Sequence, residues 1–136
     1  MDSPEEALLS ANAAFYDAFN KRDIARMASL WAEDAPVACV HPGWPALIGR
    51  EEVMKSWRGI LMNPRAPRVR WADASAHLYG AAAFVVCTEL VDDDALIATN
   101  FFCLEQGEWK LVHHHAGPTA TKTAKSPPKP PPKVLN

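Results

Sequence analysis

The spacing of hydrophobic residues changes once along the chain. Up to about residue 62, apolar side chains recur every three or four positions, which is typical of helices with one buried face. From about residue 68, apolar and polar side chains alternate, which is typical of β-strands. Helices followed by strands predict an α+β fold rather than an alternating α/β fold.

Cap residues and breakers set the bounds of the predicted helices. Ser3 and Glu6 form a capping-box pattern before the first helix, and Asp23 is in position to cap the second. Prolines and glycines separate the helices from the segments that follow them. The three predicted helices occupy about residues 3–20, 23–32 and 49–62.

Five segments have the composition of strands. The first is a short stretch at 37–40, and the others are longer and separated by only a few turn residues. Connections this short predict antiparallel neighbours. The four long strands are predicted at residues 68–78, 82–91, 95–105 and 108–115.

Composition and charge favour one cytoplasmic domain with a short tail. The 136 residues fit a domain at 1–117 and a disordered Pro/Lys-rich tail at 118–136, either a passive linker or a docking segment. Residues 1–117 carry sixteen acids and ten Lys or Arg, a net charge of −6, which disfavours nucleic-acid binding. No apolar run is long enough to cross a membrane, and the acidic N-terminus is unlike a secretion signal.

Three widely spaced cysteines argue against a disulfide framework or a zinc site. Cys39, Cys87 and Cys103 lie in apolar runs without a CxxC pair, so we expect buried, reduced thiols.

Neither a metal nor an organic cofactor is expected. Of the three histidines at 113–115, His114 would point away, but His113 and His115 could share a metal ion, with His41 as a possible third ligand.

The last hairpin predicts a polar pair on an apolar wall. With residues 106–107 as a two-residue turn, strict alternation places Asn100 opposite His113 on the concave face, together with Phe102 and His115. His114 is then predicted on the outer face. The pair could bind a polar group of a ligand, or the two side chains could simply satisfy each other.

Other candidates for the pocket are spread along the chain. His41 could be a general acid or base at the pocket mouth, or could stabilise its loop. Glu89 would be a candidate base if it faced the pocket, and an interface or solvated residue if it faced outward. Tyr16, Trp44 and Trp57 are candidate lining residues whose alternative role is core packing.

Two segments resemble a known family. They are residues 39–53 followed by Trp57, and residues 98–102 followed by 107–117. Both resemble SnoaL-like proteins of the nuclear transport factor 2-like superfamily, and the second also resembles the association domain of calcium/calmodulin-dependent protein kinase II. The resemblance implies three helices packed on a strongly curved antiparallel sheet in a cone around a pocket. It also implies a homodimer formed through the outer sheet face.

The resemblance leaves the function open between two classes. The first is a protein that binds a small, largely apolar molecule, with possible isomerase, dehydratase or cyclase chemistry on a carbonyl compound and no cofactor. In that case His41, Glu89 and His113 are the candidate catalytic residues. The second class is a non-enzymatic module for homo-oligomeric association. The catalytic residues of ketosteroid isomerase cannot be placed on this sequence.

Overall fold

The computed structural model of the chain describes residues 3–120. It has three helices and a six-stranded curved sheet, so the predicted α+β fold is confirmed. In chain order the elements are α1 (Pro4–Asn20), α2 (Ile24–Leu30), β1 (Ala38–Val40), β2 (Leu47–Ile48), α3 (Arg50–Met62), β3 (Val69–Tyr79), β4 (Ala82–Val91), β5 (Asp94–Glu105) and β6 (Glu108–Pro118).

The helix starts follow the capping chemistry that the sequence predicts. The Ser3 hydroxyl accepts a hydrogen bond from the Glu6 backbone N–H at 3.1 Å, and the Glu6 carboxylate accepts one from the Ser3 N–H at 3.1 Å. Asp23 likewise accepts from the Arg26 N–H at 3.0 Å. These bonds satisfy backbone donors that have no partner within the helix.

The sheet is not purely antiparallel, which corrects the sequence-based expectation. Its strand order is β2-β1-β6-β5-β4-β3, and β1 pairs with β6 in parallel. The long hairpins give antiparallel pairs, but β1 is separated from β6 by a helix and four strands, so no hairpin fixes its direction. The two-residue strand β2 was not predicted.

The core lies between the helices and one face of the sheet. Helix α1 packs across β3, β4 and β6, and α3 closes the end near β1 and β2. The largest buried apolar side chains are Leu8, Phe15, Tyr16, Met27, Trp31, Trp57, Phe102 and Leu111. Of the three cysteines, Cys39 and Cys87 are buried and Cys103 is half-buried, and all three are free thiols. Within residues 3–120, no helix is long and apolar enough to span a bilayer.

A β-bulge in β6 changes which side chains face the core. Leu111 pairs with Phe102, but the next paired residue is His113, opposite Phe101, so Val112 is an extra residue in the strand. A bulge of this kind shifts the side-chain alternation of the strand by one position. Beyond Val112, the residues that face the helices are therefore not those that strict alternation predicts.

The last strand is longer than predicted. Strand β6 continues to Pro118, where Leu96 is its partner, rather than ending at residue 115. The predicted tail at 118–136 therefore begins inside this strand. From residue 121 onward, the predicted tail lies outside the described residues.

Candidate ligand-binding site

A cavity of about 300 Å³ lies between the helices and the concave face of the sheet. Its wall is mostly aromatic and aliphatic, and its polar groups are the carboxyl group of Glu89, the imidazoles of His41 and His114, and the Tyr16 hydroxyl. The full lining is Phe15, Tyr16, Phe19, His41, Pro42, Trp44, Trp57, Ile60, Pro67, Val69, Glu89, Val91, Leu96 and His114. An apolar hollow with a few convergent polar groups is the usual form of a small-molecule site.

Glu89 points into this cavity and is held by Tyr16. The Tyr16 hydroxyl donates to the Glu89 carboxylate at 2.7 Å, and both side chains are buried. Burial raises the pKa of Glu89 above its usual range, and the hydrogen bond from Tyr16 opposes this shift only in part. Of the two orientations left open by the sequence, Glu89 adopts the inward one.

His114, rather than His113, is the imidazole beside Asn100. The bulge at Val112 places Asn100 opposite His114, so the predicted pairing of Asn100 with His113 is wrong. His113 lies on the outer face, where its Nδ1 donates to the carbonyl of Ala38 at 3.0 Å, and His115 is exposed. Neither His113 nor His115 lines the cavity.

Asn100 connects the polar groups from behind the cavity wall. Its amide donates to the Asn12 side-chain oxygen at 2.8 Å and to the Tyr16 oxygen at 3.2 Å. Its own side-chain oxygen lies 2.5 Å from the Nδ1 atom of His114. Asn100 is fully buried and does not line the cavity, so it positions Tyr16 and His114 rather than contacting a ligand.

This network fixes the protonation of His114. Because the Asn100 oxygen can only accept a hydrogen bond, the His114 Nδ1 must carry the proton, which leaves an acceptor lone pair on Nε2. That Nε2 atom is 3.9 Å from a carboxylate oxygen of Glu89. Burial lowers the pKa of His114 to about 3, so the ring is neutral near pH 7.

His41 joins the loop after β1 to helix α3. Its Nε2 lies 2.9 Å from the Ser56 hydroxyl, which donates its own proton to the Val53 carbonyl at 2.7 Å. The His41 Nε2 must therefore be the donor. Burial lowers the pKa of His41 to about 4, so this ring is also neutral near pH 7. His41 thus makes a loop-to-helix bond while also lining the cavity.

The aromatic candidates divide between the cavity and the core. Trp57 is buried and packs edge-on against His41, with ring centroids 4.7 Å apart. Trp44 also packs against His41 but is 45% exposed, so it lies at the mouth of the cavity. Phe102 lies on the predicted concave face but is buried in the core and does not line the cavity, which corrects its expected role in ligand binding.

Sequence reasoning missed two residues of the polar network. His114 was missed because a one-residue bulge leaves no clear mark in an alternating pattern. Asn12 had a visible signal, since it lies one helical turn from both Leu8 and Tyr16 on the buried face of α1. A polar residue at such a position requires a buried hydrogen-bond partner, which here is Asn100.

The histidines do not converge on a metal site. His41 faces the cavity, whereas His113 and His115 lie on the other side of the sheet. In the part of the chain that the structure describes, no group of three or more His, Cys, Asp or Glu side chains is arranged to hold a metal ion.

Comparisons with solved structures identify close relatives of this fold. A Streptomyces avermitilis protein, provisionally named a dehydratase of the NTF2-like family, is 34% identical and has a TM-score of 0.79, over 86% of this chain and 96% of that one. A Thiobacillus denitrificans protein, provisionally named a calcium/calmodulin-dependent protein kinase type II association domain, is 30% identical with a TM-score of 0.75. That match covers 82% of this chain and 94% of the other.

Sequence comparisons add a plant relative and a family. The F-box protein SKIP8 of Arabidopsis thaliana is 28% identical over 81% of this chain, and the chain spans about half, 48%, of that protein's length. The model of the SnoaL-like domain family matches residues 8–121, which include the cavity, the bulge and the Asn100 network. The chain therefore belongs to the SnoaL-like domain family, within the NTF2-like group of folds.

Proposed function

We propose that this domain binds a small, largely apolar molecule in the cavity between its helices and its sheet. The observation that carries the proposal is the buried carboxyl group of Glu89 on the wall of an otherwise largely apolar hollow. Burying a carboxyl group there costs free energy that an apolar side chain would not cost. A convergent polar group of this kind, with a displaced pKa, is characteristic of functional sites.

Glu89 is also the proposed site of proton exchange with the bound molecule. Acid–base chemistry on a carbonyl compound needs a base and, in addition, a donor for the developing oxyanion. Glu89 can supply the base, and the likeness to a protein provisionally named a dehydratase supports this role. However, the tyrosine, histidine and asparagine donors of the network are already engaged within the protein. We therefore rank binding above catalysis.

Filling the cavity tests the proposal directly. Leu96→Trp adds bulk to a partly exposed lining residue, and Ile48→Trp makes the same kind of change at an exposed position elsewhere. We expect ethylbenzene, a neutral apolar probe, to raise the melting temperature of the wild type and of Ile48→Trp but not of Leu96→Trp. Mass spectrometry of the native protein should likewise detect a bound molecule that Leu96→Trp lacks. A wild type that neither responds to the probe nor releases a molecule would overturn the proposal.

A second candidate function, homo-oligomeric association, is favoured by the outer face of the sheet. Phe84 stacks on His77 and on Tyr79, with ring centroids 4.6 and 5.8 Å apart, and lies 5.3 Å from Phe101. We call these four residues the outer aromatic patch. It lies on the face opposite the cavity, and its Tyr79 is 65% exposed. The likeness to a protein named for an association domain supports the same role. The two functions are compatible because they use opposite faces.

A further inference from the structure

The polar wall of the cavity offers acceptors to a ligand. The Tyr16 hydroxyl already donates to Glu89, and the Nδ1 proton of His114 is directed to Asn100. The Nε2 proton of His41 is directed to Ser56. What remains for a ligand on this wall is the carboxyl group of Glu89 and the lone pair of the His114 Nε2. A group that donates several hydrogen bonds would therefore match this wall when Glu89 is ionised, whereas a ligand carboxylate would be repelled by it.

The charge of the cavity points to the same class of ligand. Among the described residues that line it there is no lysine or arginine, and both histidines are neutral near pH 7. Glu89 therefore lacks a permanent cationic partner within the cavity wall. A buried carboxylate without a countercharge is costly, and a cation that arrives with the ligand offsets this cost.

The aromatic lining adds a second feature that favours a cation. The rings of Phe15, Phe19, Tyr16, Trp57 and Trp44 line the same hollow as Glu89. The faces of aromatic rings are electronegative and attract ammonium groups, most strongly where water is excluded. The same rings accommodate an apolar hydrocarbon body.

We propose that the ligand is a small apolar amine, whose ammonium group donates hydrogen bonds to Glu89 and to His114. This inference rests on the proposed binding function and specifies the chemical class of the ligand. The two acceptors are 3.9 Å apart, so the diverging N–H bonds of one ammonium group can reach both at ordinary hydrogen-bond lengths. The proton of the Glu89 carboxyl group is accounted for in this binding step. A neutral amine that enters takes the proton from the Glu89 carboxylic acid, which gives an ammonium and a carboxylate in contact.

Four probes with the same phenethyl body test this inference. Phenethylamine, phenethyl alcohol, ethylbenzene and hydrocinnamate differ only in whether they carry an ammonium, a hydroxyl, a hydrogen or a carboxylate. We expect calorimetry on the full chain at neutral pH to show the amine binding roughly tenfold to hundredfold more tightly than the alcohol, as for hydrogen bonds between charged groups. Hydrocinnamate should bind most weakly. An amine that binds no more tightly than the alcohol would overturn the inference.

Two substitutions assign the preference to one carboxyl group. Glu89→Gln keeps the shape of the side chain but removes its charge, so it should reduce amine binding to the level of the alcohol. Glu51→Gln removes an exposed carboxylate on α3 and should leave the amine preference unchanged. An amine preference that survives in Glu89→Gln would also overturn the inference. Binding of ethylbenzene without any amine preference would reject the amine ligand alone, whereas failure of all four probes would reject the cavity as a binding site.

Discussion

Glu89 is the residue at which the requirements of stability and of the proposed binding conflict. On the inward face of β4 it lies between Cys87 and Val91, where an aliphatic side chain would pack without the cost of burying a carboxyl group. Tyr16 donates to its carboxylate, Cys87 contacts the same Tyr16 hydroxyl, and the Nε2 atom of His114 lies 3.9 Å from the carboxylate. None of these neighbours is a cation near pH 7, so the ionised form of Glu89 has no local countercharge. The folded protein therefore prefers Glu89 protonated more strongly than the unfolded chain does.

This preference predicts how stability depends on pH. Because the folded pKa of Glu89 is raised above its ordinary value of 4.5, this group lowers the stability of the fold as pH rises from 4.5 through the folded pKa. Glu89→Gln lacks this titration. We expect its melting temperature to match that of the wild type at acidic pH and to exceed it by a few degrees at neutral pH, since about 1 kcal/mol shifts a domain of this size by that much. Thermal unfolding across pH, with Glu51→Gln as control, measures the difference; a constant offset at every pH would contradict this account.

Unlike Glu89, Asn100 stabilises the fold. It affects the site only through the side chains that it contacts. Asn100→Ala leaves Asn12 and His114 without a buried partner and removes one hydrogen bond of Tyr16, so we expect a loss of about 2–4 kcal/mol in the free energy of unfolding. Urea denaturation measures this loss. Long-range proton–nitrogen NMR spectra give an independent readout, because the proton of His114 should no longer be confined to Nδ1. An unchanged tautomer in the variant would contradict the positioning role.

At the level of elements, the sequence predicted what depends on local chemistry. The capping pattern at Ser3 and the alternation in β4 placed their elements well, because caps and side-chain period act within a few residues. The parallel pairing of β1 and the bulge at Val112 were not predictable in this way. Both depend on long-range packing of the sheet, and one extra residue was enough to exchange His113 for His114 in the site.

The junction between α2 and α3 depends on one side chain. Arg50 begins α3, where a positive charge opposes the helix dipole. Its guanidinium instead donates to the carbonyl oxygens of Ala28, Trp31 and Ala32, at 2.8, 3.0 and 3.0 Å. The Ala28 carbonyl belongs to the last turn of α2, and the carbonyls of Trp31 and Ala32 follow directly after the helix. Arg50 therefore joins two helices that form part of the roof over the core.

Replacing this forked group tests its role. Arg50→Lys keeps the charge but cannot reach three carbonyls in the same plane, so we expect a loss of about 1–3 kcal/mol in the free energy of unfolding. Arg58→Lys, at an exposed position on the same helix, should cost almost nothing. Urea denaturation of the two variants compares them directly. If Arg50→Lys were as stable as Arg58→Lys, the charge at position 50 alone, rather than the forked shape of the guanidinium, would stabilise the junction.

Considered as a whole molecule, the sheet carries two surfaces that share the same strands. On β5, Asn100 faces the buried network while the next residue, Phe101, faces outward into the aromatic patch. On β4, Glu89 faces inward and Phe84 outward. Successive side chains of a strand point to opposite faces, so one strand can serve a cavity and an association surface at once. A second copy of the chain packed on the outer face would stiffen the strands that hold the polar network.

This arrangement predicts an oligomer that depends on the patch. Light scattering during size exclusion should give the wild type a mass that is a multiple of the 14.9 kDa chain. Phe101→Lys places a charge among the stacked rings of the patch and should yield monomers, because an unpaired buried charge is costly. Met62→Lys, at a position 71% exposed at the end of α3, should leave the mass unchanged. A monomeric wild type, or an unchanged mass for Phe101→Lys, would show that the patch does not hold copies together. Because the cavity opens on the other side of the sheet, ethylbenzene should still bind to the Phe101→Lys monomer.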